Sequence, residues 1–144
     1  MIPAISETTQ GPRTLNSYFA NLAIDNNEES FFHTLASTED LHWWKAKFKT
    51  TVHITKFTVV ARIGYENRMV NIKVFTVLYN TRVGQGAQTE EKHLVDLNDI
   101  TTTGRKTFEL TNAVMADEIL LKLFHPSGTG SIVMNFAEIY IWGY

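Results

Sequence analysis

The stretch VVARIGYENRMVNIKV, residues 59–74, predicts two β-strands around a short turn. Apolar and polar residues alternate on both sides of GYEN, and a period of two residues is what a strand with one buried face requires. Glycine and asparagine inside the stretch are typical turn residues. We therefore expect a hairpin here, with Arg62 and Arg68 flanking its tip and Tyr65 between them.

Strand patterns continue in both directions from this stretch. They are rich in β-branched and aromatic residues, which favour strands, and they include TTVHITKFTVVARI (50–63), RKTFELT (105–111), EILLKLFH (118–125) and SIVMNFAEIYIWGY (131–144). Turn signals such as RVGQGAQ (82–88) separate them. Several short strands divided by such turns predict an antiparallel β-sandwich or barrel.

Two segments, SYFANLAI (17–24) and VDLNDI (95–100), are expected to form short helical turns. Residues 1–10 are expected to form a mobile N-terminal tail, because their composition is that of an unpacked terminus. Residues 11–144 would then form one domain, a length that suits a single hydrophobic core.

The composition excludes several classes of protein. Hydrophobic residues make up 44% of the chain and charged residues 19%, which is globular rather than disordered. The formal charge of −2 includes no basic excess, so no nucleic-acid partner is expected. No apolar run approaches the ~18 residues of a membrane span, and no signal peptide is visible, so we expect no membrane insertion.

Catalytic patterns are missing from the sequence. The chain has no cysteine, which rules out disulfides, thiolate metal sites and cysteine nucleophiles. We find no nucleophile elbow, no phosphate-binding glycine loop and no His-Glu-x-x-His pattern. The five histidines are scattered. We therefore do not expect an enzyme.

Oxygen-bearing side chains crowd the segment NLAIDNNEES, residues 21–30. Such a turn can surround Ca²⁺, which takes six to eight oxygen ligands. An ordinary turn, in which Asp25 accepts a hydrogen bond from the following backbone, explains the same residues. The twelve-residue loop of an EF-hand is absent.

Two further features permit a structural and a functional interpretation. Trp43 and Trp44 in LHWWKAKF (41–48) must point to opposite faces of a strand, and packing against the core and a turn accounts for both. Arg62 and Arg68 can present rigid forks of donors to the hydroxyls of a sugar. They are equally consistent with a solvated hairpin tip.

Four segments taken in order resemble the F-type (fucose-binding) lectin domain of the discoidin-like, galactose-binding-domain-like family. They are ANLAIDNNEESFFH (20–33), WWKAKF (43–48), the arginine–turn–arginine segment and NFAEIYIWG (135–143). The resemblance extends from about Leu15 to Tyr144. It implies an all-β antiparallel jelly-roll of roughly eight main strands, with ligand-binding loops at one end.

The resemblance also implies a structural Ca²⁺. Its predicted side-chain ligands are Asp25, Asn27 and Glu138, and its predicted carbonyl ligands are Leu22, Ala137 and a residue near Leu35.

A sugar site with one histidine and two basic residues is implied as well. Arg62 matches the first basic residue; Arg68 resembles the second but comes one residue too early. Gly64 replaces an aspartate of the family pattern. Tyr65 is hypothesised to provide the apolar platform for the sugar, and the histidine is expected to be His33 or His42.

The resemblance predicts a non-enzymatic lectin for fucose or a related sugar. Its glycan partner would be fucosylated, and weak single-site binding would be offset by homo-oligomerisation or by a place within a larger protein. The expected location is extracellular or at the cell surface. The alternative is a sugar-inactive discoidin-like domain for protein–protein adhesion or recognition.

Overall fold

The computed structural model describes residues 2–81, 87–101, 104–126 and 128–144. Its eight strands are β1 Ile5–Gly11, β2 Phe32–His33, β3 Leu41–Val60, β4 Ile72–Thr81, β5 Ala87–Asp96, β6 Arg105–Phe124, β7 Asn135–Phe136 and β8 Glu138–Gly143. Three 3-10 helices are η1 Ala20–Ile24, η2 Glu66–Met69 and η3 Asn98–Thr101. None of the helices in these ranges is long and apolar enough to cross a membrane.

Two long strands, β3 and β6, take part in both layers of an antiparallel sandwich. Residues 41–48 of β3 lie between β1 and residues 118–124 of β6, and the sheet continues through β4 to β5. Residues 52–60 of β3 lie between β8 and residues 105–116 of β6. The register is irregular between Lys47 and Val52, and such irregularities let a strand bend.

One hydrophobic core lies between the two layers. Residues from both halves of β3, including Trp44 and Phe57, belong to the same buried cluster. Trp44 is fully buried whereas Trp43 is half-buried, which confirms that the two indoles lie on opposite faces. Phe136 packs against Phe32 and Trp44 with ring centroids 4.5 and 5.3 Å apart. This aromatic cluster supports the short β2–β7 ladder.

Two local predictions are wrong. No hairpin forms at residues 59–74, because β6 lies between β3 and β4, and residues 61–71 form a connection that contains η2. Residues Ile5–Gly11 are a strand paired with β3 and not a mobile tail. The two helical turns are confirmed as η1 and η3. The predicted turn at 82–88 lies largely outside the described residues.

Several connections meet at one end of the sandwich. Val60 at the end of β3 pairs with Arg105 and with Glu138, the first residues of β6 and β8. The β2–β7 ladder pairs His33 with Asn135, η2 packs against β7 and η3, and η1 packs against β8. This end carries most of the residues singled out from the sequence.

Candidate ligand-binding site

The connection after β3 presents three functional side chains on one side. The Tyr65 N–H donates to the Arg62 carbonyl, and the Arg68 N–H donates to the Tyr65 carbonyl, both at 3.0 Å. Residues three apart in such 3-10 turns lie one above another. Gly64 has φ of +82°, a conformation that glycine adopts without strain. The backbone therefore aligns Arg62, Tyr65 and Arg68.

The side chains of these three residues are in direct contact. The Cζ atom of Arg62 lies 4.0 Å from the Tyr65 ring centroid, and that of Arg68 lies 4.3 Å from it. On its other side Arg62 lies 3.8 Å from the ring centroid of Phe31. A guanidinium over an aromatic face is attracted by the negative face of the ring. Tyr65 thus contacts both arginines while remaining 37% exposed.

His33 joins this group from β2. Its Nε2 lies 3.3 Å from Nη1 of Arg68, and its Nδ1 lies 2.6 Å from the Thr34 carbonyl oxygen. An arginine can only donate, so Nε2 is the acceptor and Nδ1 carries the proton. Burial, together with the positive charges of Arg68 and Arg62, lowers the pKa of His33. The imidazole is therefore neutral and fixed in one tautomer.

His42, the other candidate histidine, does not belong to the site. It is fully buried, its Nδ1 lies 2.7 Å from the Thr34 hydroxyl, and its Nε2 lies 2.9 Å from the Ser37 hydroxyl. Both ring nitrogens are occupied by protein groups. The prediction that His42 completes the sugar site is thus wrong, because the residue fastens a loop to the core.

Two aromatic residues of the site were missed. Tyr18 and Phe31 stack with ring centroids 4.8 Å apart, and each centroid lies 6.3 Å from that of His33. The signal was present in the adjacent pair Phe31 and Phe32, since neighbouring residues on a strand face opposite ways. Phe32 is in the core, so Phe31 faces outward.

These contacts close into a ring. In order, it runs through Tyr18, Phe31, Arg62, Tyr65, Arg68 and His33, and back to Tyr18. We call these six side chains the aromatic–arginine cluster. It contains three aromatic rings, two guanidinium groups and one neutral imidazole.

Asn135 lies beside the cluster and was also missed. It is the cross-strand partner of His33, and directly opposite residues share a face of the ladder. Asn135 is fully buried, and neither its Nδ2 nor its Oδ1 has a hydrogen-bond partner among the described residues. Native structures rarely leave such atoms unpaired.

The second predicted site is the loop after η1. The Trp44 indole N–H donates to the Ala20 carbonyl at 2.9 Å and anchors η1 on the core. The Asp25 carboxylate then accepts the Asn27 N–H at 3.0 Å and the Ser30 hydroxyl at 2.5 Å. The ordinary turn considered from the sequence is therefore present. Ser30, which the sequence did not single out, supplies a further oxygen.

Glu138 meets this loop from β8. Only 1% of the residue is exposed, and its Oε2 has no partner in the described part of the chain. Burial, followed by the hydrogen bond and the negative charge of Asp25, raises the pKa of Glu138 to about 8. Two converging carboxylates of this kind repel each other when both are ionised. A hard cation relieves that repulsion, so the donor set fits Ca²⁺.

The other predicted metal ligands divide into two groups. Leu22 lies in η1, one turn before Asp25, and Ala137 directly precedes Glu138, with its N–H donated to Val60 at 2.8 Å. The Leu35 N–H donates to the Arg13 carbonyl at 2.7 Å, and the residue lines a shallow cavity with Arg13 and residues 36–39. Its assignment as a carbonyl ligand stays a prediction.

Carbonyl and hydroxyl oxygens must complete any cation site here. Within the described ranges, no group of three or more His, Cys, Asp or Glu side chains converges.

Nearby carboxylates do not neutralise the two arginines. Glu66 accepts the Gly64 N–H at 3.1 Å. Glu28 pairs with Arg105 at 3.0 Å and accepts the Tyr140 hydroxyl at 3.1 Å. Across the described residues, neither Arg62 nor Arg68 forms a salt bridge.

Solved structures share this architecture. A fucose-binding module of Streptococcus pneumoniae has a TM-score of 0.70 and 20% identity, covering 99% of this chain and 94% of its own. A fucolectin from striped bass (Morone saxatilis) serum has a TM-score of 0.68 and 19% identity, covering 96% of this chain and 46% of its own. This is the fold of the F-type lectins. A family 32 carbohydrate-binding module of Clostridium perfringens NanJ, solved with galactose, has a TM-score of 0.62 and 16% identity, with 98% coverage of both chains.

The F-type lectin fold confirms the architecture expected from the sequence. No protein-family model and no curated protein matches the sequence.

Proposed function

We propose that this chain is a carbohydrate-binding domain that recognises fucose or a related sugar through the aromatic–arginine cluster. The observation that carries the proposal is the convergence of Arg62, Arg68 and His33 at the loop end, without a carboxylate partner for either arginine in the described residues. The structural neighbours, which include a fucose-binding module and a galactose-bound module, support it.

The chemistry of the cluster suits a sugar ring. Arg62 and Arg68 would donate hydrogen bonds to ring and hydroxyl oxygens, while a Tyr18 or Tyr65 ring packs on the C–H face. A hydrogen bond from a charged donor contributes about 1.5–3 kcal/mol. Desolvation and ligand ordering offset much of this, so single-site affinity is weak and several copies are needed for tight binding.

A structural Ca²⁺ is part of the proposal. Asp25 and Glu138 would hold it, with Asn27, Ser30 and the Leu22 and Ala137 carbonyls nearby. The unpartnered, buried Oε2 of Glu138 supports this assignment. The ion would brace the loop after η1 against β8, next to the segment that carries Phe31.

The context we propose is outside the cell, either as a free lectin or as one module of a larger protein. The serum origin of one neighbour and the modular origin of another support this context. A homo-oligomer or a tandem arrangement would supply the multivalency.

Calorimetry and a glycan array with Arg62→Ala test the sugar site. We expect the variant to lose at least about tenfold in affinity, since one charged hydrogen bond is removed. Lys49→Gln is the matched control, because Lys49 is exposed at the bend of β3, away from the loop end. Equal sugar affinities of the wild type and Arg62→Ala would show that the aromatic–arginine cluster is not the sugar-binding site.

A further inference from the structure

We propose that the preferred ligand of the aromatic–arginine cluster is an acidic sugar, one that carries a carboxylate or a sulfate ester. This inference rests on the proposed function and narrows its substrate class. It starts from the charge balance of the cluster.

Two like charges are held close together. Both Cζ atoms lie within 4.3 Å of the centroid of a single ring, that of Tyr65. Burial and the charge of Arg62 lower the pKa of Arg68, but an arginine stays protonated at neutral pH. The repulsion is therefore permanent, and a ligand anion relieves it.

No carboxylate in the described residues forms an ion pair with either arginine. The Glu66 carboxylate accepts the Gly64 N–H, and Glu28 forms an ion pair with Arg105. Asp25 accepts hydrogen bonds from its own loop. His33 is the remaining polar member and is neutral, since its Nε2 accepts from Arg68. In the described residues the cluster thus carries two positive charges and no negative one.

The shape of the arginines also matches an oxyanion. Both faces of Arg62 are next to aromatic rings, at 3.8 and 4.0 Å, so its N–H edges remain for a ligand. A guanidinium edge presents two parallel donors, which pair with two oxygens of a carboxylate or sulfate. A neutral hydroxyl uses only one of those donors.

The aromatic members restrict the anion to one attached to a sugar. Tyr18 and Tyr65 are each 37% exposed, and their apolar faces would contact the C–H face of a ring. Inorganic sulfate lacks that face, so it gains only the charge interaction. In an acidic sugar, the ring would contact the tyrosines and the oxyanion would pair with the arginines.

Titration calorimetry with matched sugar pairs tests this inference. The pairs are galactose against galacturonic acid and galactose against galactose 6-sulfate, with fucose and inorganic sulfate added. We expect the acidic member to bind about tenfold tighter than the neutral one, because its hydrogen bonds are charge-assisted on both sides. The preference should shrink as ionic strength rises from about 0.01 M to 0.15 M, where screening shortens the Debye length.

Two variants separate charge from folding. Arg68→Gln should reduce the acidic preference several-fold, because only the charge of Arg62 remains. Arg68→Lys keeps the charge but loses the paired donors, so its preference should lie between those of Arg68→Gln and the wild type. Lys49→Gln removes one positive charge far from the cluster and should leave the preference for the acidic sugar unchanged. Melting curves show whether each variant is folded.

Each outcome is decisive. If neutral and acidic sugars bind equally, or the neutral one binds tighter, the inference is wrong while the proposed function stands. If no sugar of either kind binds, the proposed function fails as well. If inorganic sulfate displaces the acidic sugar at equal concentration, the site is a simple anion site and the inference is overturned.

Discussion

Glu138 lies in an environment that disfavours its charged form. Its carboxyl is buried beside Asp25, and its pKa is raised to about 8 from the usual 4.5. Without a cation, the protonated form is favoured in the folded state across that interval. Its protonation state is thus linked to stability.

We predict opposite pH dependences with and without Ca²⁺. The folded state binds the extra proton, so in chelator the stability is full below about pH 4.5, falls as pH rises towards 8, and then levels off. Ca²⁺ requires the ionised pair, so its stabilising effect grows over the same interval. Saturation at about 100 times Kd adds ~2.7 kcal/mol, which raises Tm by about 5–10 °C for a chain of this size.

Glu138→Gln is the matched variant for this measurement. It keeps the shape of the side chain but cannot ionise, so both the decline in chelator and the response to Ca²⁺ should disappear. Fluorimetric melting at several pH values provides the readout. If the Tm of the wild type changes with neither Ca²⁺ nor chelator, the metal proposal is wrong.

At the residue scale, the sequence predicted which side chains carry suitable functional groups better than it predicted which of them are in contact. Asp25 has a side chain that suits a cation, and Arg62, Arg68 and Tyr65 have side chains that suit a sugar. Glu138 is implied only by the resemblance to F-type lectins. His33 and His42 are identical in type, and only the fold shows that one contacts Arg68 while the other is bonded to Thr34 and Ser37. Asn135 could not be found, because its significance comes from cross-strand pairing with His33.

One hydrogen bond from the core anchors the start of helix η1. Trp44 lies on β3, yet its indole N–H reaches the Ala20 carbonyl at the start of η1. The position of Asp25, directly after η1, follows from this anchor.

We predict that Trp44→Phe weakens Ca²⁺ binding more than its effect on packing suggests. One aromatic ring is retained, but the smaller phenyl group leaves a cavity at this fully buried position. In addition the Ala20 carbonyl loses its partner, which costs about 1–3 kcal/mol. Asp25 then loses its fixed position relative to Glu138. Calorimetric titration with Ca²⁺ gives the affinity, and melting in chelator gives the stability.

Trp43→Phe is the control, because Trp43 is half-buried on the opposite face of the same strand. An equal loss of Ca²⁺ affinity in both variants would show that the anchor of η1 is irrelevant to the metal site.

At the scale of elements, local sequence patterns predicted where strands form but not which strands pair with each other. The alternation in residues 59–74 predicts an extended segment on each side of GYEN, and both exist as parts of β3 and β4. The hairpin failed because pairing is decided by distant residues: β6 inserts between the two strands. Similarly, β1 was unrecognised because ISETTQG has few apolar residues, and its pairing with β3 makes it a strand.

At the scale of the whole molecule, β1 is an edge strand that completes one layer. It covers residues 43–48 of β3 through backbone hydrogen bonds, and Ile5 packs against the core. Residues Ile5–Gly11 are therefore part of the sandwich.

We predict that a chain starting at Pro12 is destabilised by on the order of 2–4 kcal/mol, since it loses the packing of Ile5 and a ladder of hydrogen bonds. This corresponds to a drop in Tm of about 5–15 °C. A chain starting at Pro3 is the control, because Ile2 is 70% exposed. Identical melting curves for both shortened chains would restore the mobile-tail interpretation.

Resemblance in the order of segments predicted the overall architecture, because a sandwich tolerates extensive change in individual residues as long as buried positions stay apolar. The net charge of the loop end was harder to predict from the sequence. It follows from which carboxylates have other partners, as with Glu66 and Glu28, and such partnerships depend on loop conformation.

Both ends of the described chain lie beside the bend of β3. Ile5 pairs with Phe48, Gly143 pairs with Ile54, and the Tyr144 carbonyl accepts the His53 N–H at 2.7 Å. The strand then runs to Val60, roughly 20 Å further on at the usual rise per residue. A bead, a surface or a fused protein attached at either terminus would therefore leave the arginines facing away from the tether, free to meet a glycan-coated surface opposite.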